Sequence, residues 1–62
     1  MTMTEFPAVK TRRNTKFVDW YDLLNADCQR RGLPTPTFGP AHDAYDMGES
    51  PETAAANVEA EA

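Results

Sequence analysis

Sixty-two residues, a formal net charge of −4 and one cysteine leave room for a single small domain, near the lower size at which a chain folds without a staple. A lone Cys28 excludes an internal disulfide, no Cys/His set has zinc spacing, and no apolar run approaches the ~20 residues of a bilayer span. Leu, Ile, Val and Phe together make up about 15% of the chain, below the share of roughly 20% under which chains drift toward disorder. The expected core is therefore marginal and draws on Trp20, Tyr21, Tyr45 and Met47 for apolar area.

The charge is unevenly placed. Lys10, Arg12, Arg13 and Lys16 hold four of the six cations, with Arg30 and Arg31 the remaining two. From Phe38 onward Asp43, Asp46, Glu49, Glu52, Glu59 and Glu61 have no Lys or Arg among them. A basic arm, a mixed middle and an acidic tail bear on association, not on fold. The opening MTMTEFPAVK has no continuous apolar run, so no secretory leader is expected. The expected address is the cytoplasm of the producing cell, or of a host if a mobile element carries the gene.

Residues 1–14 lack helical or strand period and contain Pro7, which predicts a flexible arm. A helix is expected over about 15–31, capped by Asn14 or Thr15, with Asp19 in its opening turns. At 100° per residue Phe17, Trp20, Tyr21, Leu24 and Cys28 share one sector, and Leu23 widens it beside Trp20. Arg30 and Arg31 suit the negative helix end, Gly32 suits a left-handed C′ position, Leu33 folds back toward Cys28, and Pro34 ends the helix.

Pro34, Pro36 and Pro40 then favour an extended connector. Thr37 or Gly39 caps a second helix over about 38–47, with Phe38, Ala41 and Tyr45 on one side and Gly48 as its stop. Ser50 as N-cap and Pro51 at the first helical position start a third helix over about 51–59, striped by Ala54, Ala55 and Val58. Carboxylates at its C-terminal end predict fraying of residues 60–62. No repeat and no strand alternation occurs. The fold expected is all-α: a single domain over 15–59, its first helix packed on a short helical hairpin, with Trp20, Phe17, Phe38 and Tyr45 at the centre of the core.

The segment Met47–Ala54, MGESPETA, resembles the turn between the first two helices of ubiquitin-associated domains. That resemblance implies a tight helix–helix turn. Glu49 stands where such a domain has an aromatic residue, so ubiquitin binding is not carried over.

Chemistry is sparse. His42 and Asp46 have i, i+4 spacing, but two ligands fall short of the three or four that zinc takes. Cys28 falls inside the apolar stripe, where a thiol is a small inert hydrophobe. Three short helices do not enclose a pocket of ~300 Å³ or more, so no enzyme activity, cofactor or small-molecule substrate is expected. The stripe on the first helix exceeds what such a small partner layer covers, and exposed aromatics on a rigid helix are typical interface anchors. The preferred reading is a protein-interaction module, such as an adaptor, inhibitor or accessory protein of the kind phages carry. It would bind a protein partner, or associate with itself, through Phe17, Trp20, Tyr21, Leu23 and Leu24. In an alternative, Lys10, Arg12, Arg13, Lys16, Arg30 and Arg31 contact nucleic-acid phosphates. The acidic third helix would be repelled from a groove, so no sequence readout accompanies that reading. A second alternative has the acidic tail mimic nucleic acid toward a cationic protein.

Overall fold

The computed structural model describes residues 9–61, which form three helices: α1 (Phe17–Arg30), α2 (Phe38–Asp46) and α3 (Pro51–Glu61). The all-α expectation holds: α1 packs on both other helices, most extensively on α3.

Helix ends follow local chemistry. Gly32 has φ +74°; the Leu33 amide donates to the Cys28 carbonyl at 2.8 Å and the Gly32 amide to that of Gln29 at 3.1 Å. This is a Schellman cap, which only a residue at ease with positive φ closes without strain. The same motif ends α2: Gly48 has φ +84°, the Glu49 amide donates to the Ala44 carbonyl and the Gly48 amide to that of Tyr45. Ser50 then caps α3, its Oγ accepting from the Thr53 amide at 3.1 Å, with Pro51 at the first position where no amide is needed.

Four boundaries differ from the expectation, the end of α1 among them: it stops at Arg30, with Arg31 as its cap, one residue short of 31. Helix α1 begins at Phe17, and its N-cap is Lys16 with no side-chain cap bond. Asn14 is engaged elsewhere: its Oδ1 accepts from the Thr11 amide and its Nδ2 donates to the Val9 carbonyl, both at 3.0 Å. Residues 9–14 consequently form a braced turn where an unstructured arm was expected, and the part of that arm before Val9 lies outside the described residues. Helix α2 ends at Asp46 with Met47 as its cap. Helix α3 continues to Glu61 instead of ending near residue 59, while residue 62 is outside the described residues.

The core comprises Trp20, Leu24, Cys28, Ala41, Ala54 and Ala55, with Phe17, Tyr21, Leu33, Ala44 and Tyr45 packed partly buried around it. Ala54 and Ala55 leave room for α3 to lie close over Trp20 and Leu24. Four side chains then fasten the elements by donating to main-chain carbonyls of connectors or helix ends. Trp20 Nε1 reaches Glu49 at 2.9 Å, Tyr21 Oη reaches Pro36 at 2.5 Å, Tyr45 Oη reaches Thr15 at 2.5 Å and Arg12 Nη1 reaches Asp46 at 2.6 Å. Phe38, expected in the core, is 66% exposed. It sits at the first position of α2, beside the rings of Tyr21 and Phe17 but largely in solvent.

Candidate interaction surfaces

The aromatic stripe of α1 is divided by its neighbours. Trp20 and Leu24 are 0% and 1% exposed, so the expectation that they await a partner is corrected: the small side chains of α3 admit a close approach that covers them. Phe17 and Tyr21 lie half-buried on the α2 side. The Phe17 ring is 5.6 Å from Tyr21, 6.1 Å from Phe38, 4.8 Å from His42 and 5.4 Å from Tyr45 between centroids, and Tyr21 is 4.8 Å from Phe38. Such distances are favourable for tilted and offset aromatic pairs. Leu23, 42% exposed, is not part of this cluster. It borders an open cleft of about 580 Å³ with Lys10, Asn14, Thr15, Lys16, Asp19 and Asp22. Sequence reasoning missed Phe38 as a surface residue; its place in the first helical turn after a connector was the available signal.

The six cations do not converge. Lys10, Arg12, Arg13 and Lys16 precede α1 and Arg30 and Arg31 follow its start by the whole helix, a separation of about 21 Å for 14 residues. Arg12 is held on the Asp46 carbonyl. Arg30 and Arg31 both pair with Asp27, which is buried, and Arg31 Nη1 also donates to Glu59 Oε1 at 2.7 Å. Its hydrogen bond to Glu59, above all, holds the Arg31 guanidinium even more firmly protonated than usual. Asp27, Arg31 and Glu59 thus clamp the C-terminal ends of α1 and α3 together. Asp19 and Asp22 share the cleft with Lys10 and Lys16 and weaken the positive field there.

A third surface lies between α2 and α3, an open groove of about 280 Å³. Leu24, Ala41, Ala44, Ala54 and Val58 supply apolar lining, and Asp43, Glu49 and Glu61 carry its only charges. Asn57 Nδ2 donates to Glu49 Oε1 at 3.3 Å near the turn that joins the helices.

His42 Nδ1 is 3.1 Å from Asp46 Oδ2 with both side chains more than half exposed. Among the described residues no group of three or more His, Cys, Asp or Glu side chains is placed to hold a metal ion. Cys28 is buried, and burial first, then the neighbouring Asp27 carboxylate, pushes its thiol pKa up. Among the described residues no helix is long and apolar enough to cross a membrane. No family model, no curated protein and no solved structure matches the chain.

Proposed function

We propose that this protein is a small, non-catalytic interaction module that binds a protein partner through the aromatic flank of α1. The carrying observation is Phe38, 66% exposed although ringed by Phe17 and Tyr21. A large ring left in water beside two half-buried aromatics offers a rigid apolar step, and aromatic anchors of this kind dominate interface energies. The partner presents an apolar side chain to that step. The original five-residue face is narrowed to Phe17 and Tyr21 with Phe38 added. Trp20 and Leu24 act beneath it by holding α1 in place, and Leu23 lies beyond its edge.

The test compares partner capture by the wild-type chain and by Phe38→Ala, with amide-correlation NMR confirming that the variant stays folded. Loss of a captured protein on Phe38→Ala, but not on Arg13→Ala, supports the reading. Unchanged capture by Phe38→Ala removes it. Random duplex DNA at low salt is the companion titration. Shifts at Lys10, Arg13 and Lys16 that vanish with added salt would move the function to phosphate contact instead.

A further inference from the structure

We propose that a second copy of this chain docks its basic turn, residues 9–14, into the acid-rimmed groove between α2 and α3. The inference is independent of the aromatic docking face: at 100° per residue Phe38 and His42 lie on one side of α2, and Pro40, Asp43 and Met47, which line the groove, on the other.

The groove has an apolar floor and three carboxylates, with no cation in its lining. The C-terminal end of α3 lies at Glu61 and adds the negative end of a helix dipole to the same opening. Its volume sits at the lower limit of small-molecule sites, about 300 Å³, which suits a socket for one or two side chains. An occupant must therefore offer a small aliphatic anchor flanked by positive charge.

The chain carries such an element at its other end. Val9 is 62% exposed, and Lys10 and Arg13 are exposed beside it with no ion pair among the described residues. The turn is already rigid. Asn14 binds both the Thr11 amide and the Val9 carbonyl, the Asn14 and Thr15 amides donate to the Thr11 carbonyl, and Arg12 fastens the turn to Asp46. Little ordering entropy remains to be lost on docking, which is what preorganisation means for affinity. No residue of the turn lines the groove of its own molecule, so the two complementary surfaces are both left open within one chain. Because they are different patches, the joint is head-to-tail and propagates unless its rotation closes a ring.

The footprint is small, so the contact is weak and salt-sensitive. In amide-correlation spectra of the wild-type chain, peaks of Asp43, Ala44, Met47, Val58 and Lys10 should move together as concentration rises from about 20 µM to about 1 mM, and return with added salt. Two variants separate the halves of the joint: Lys10→Gln with Arg13→Gln, and Asp43→Lys with Glu61→Lys. All four side chains are exposed, and each variant alone should give spectra independent of concentration. Mixed one to one, they should recover the shifts in the groove of the first and the turn of the second, because that pairing alone is still complementary. The mixture should stop at a pair while the wild type grows further, by sedimentation. A wild-type spectrum unchanged across the concentration range overturns the proposal without any variant. So does a silent mixture of two folded variants, or concentration-dependent shifts confined to Tyr21 and Phe38.

Discussion

The indole Nε1 of Trp20 donates to the backbone carbonyl of Glu49 at 2.9 Å, joining the first turn of α1 to the turn between α2 and α3. This bond lets a fully buried ring satisfy its one polar group and fixes where the hairpin sits on the helix. Trp20→Phe keeps an aromatic ring but leaves the Glu49 carbonyl without its partner, and a loss of about 1–3 kcal/mol is expected. Trp20→Ala should cost about 3–5 kcal/mol, comparable to the whole net stability of ~3–5 kcal/mol typical of a core this small. Urea titration followed by circular dichroism should find the Phe variant weakened and the Ala variant largely unfolded at room temperature.

The two Schellman glycines give a cleaner backbone test. A Cβ at Gly32 or Gly48 meets no atom within 4 Å, yet φ is +74° and +84°. Gly32→Ala and Gly48→Ala should each lose roughly 1–2 kcal/mol from the left-handed conformation alone, and D-alanine introduced by synthesis at the same positions should not. Gly39→Ala, inside α2 with free space and an ordinary φ, should raise stability by about 0.5–1 kcal/mol. Equal losses at all three positions in thermal melts would contradict the cap assignment.

Asp27, buried between Arg30 and Arg31, should respond very differently from its partners. Asp27→Ala leaves two guanidinium groups without their shared acceptor and should destabilise by about 1–3 kcal/mol. Arg30, whose side chain is 70% exposed, should tolerate Ala to within about 0.5 kcal/mol. Arg31→Ala releases Glu59, so hydrogen exchange should quicken in the last turn of α3 while the start of α3 stays protected. Uniform acceleration along α3 would argue against a local clamp.

Cys28 links burial to pH. Its folded-state pKa is raised by desolvation and then by Asp27, so the folded chain holds the thiol proton more tightly than the unfolded chain does. The contribution to stability is complete below the ordinary thiol pKa of about 9 and is lost as pH climbs through the raised value. Melting temperatures between neutral pH and about pH 10 should fall less steeply in Cys28→Ala than in the wild type. Native Cys28 should react slowly with a thiol reagent and quickly in urea.

What could be read from residues alone was whatever neighbouring residues decide. Gly32, Leu33 and Pro34 sit together at the end of α1, and Ser50 and Pro51 at the start of α3, so both boundaries were legible. The start of α1 was not, because Asn14 serves Thr11 and Val9 in place of the helix, and nothing local ranks those two uses. A helical wheel placed Phe17, Trp20, Tyr21 and Leu24 on one face. It could not tell which of them a later helix would cover, since that depends on how closely Ala54 and Ala55 let α3 approach. The Arg31–Glu59 pair spans 28 positions, and the groove exists only because α2 and α3 diverge from a shared turn. Both are products of the assembled fold.

The four side-chain tethers that end on main-chain carbonyls set unusual terms for variation. Glu49, Pro36, Thr15 and Asp46 receive Trp20, Tyr21, Tyr45 and Arg12 through an oxygen that every amino acid possesses. The identity of the receiving residue is immaterial to the bond, whereas its position along the chain is not. These four receiving positions should drift freely in spelling, while the connectors hardly change in length, so that one inserted residue does more harm than an exchange at any of the four.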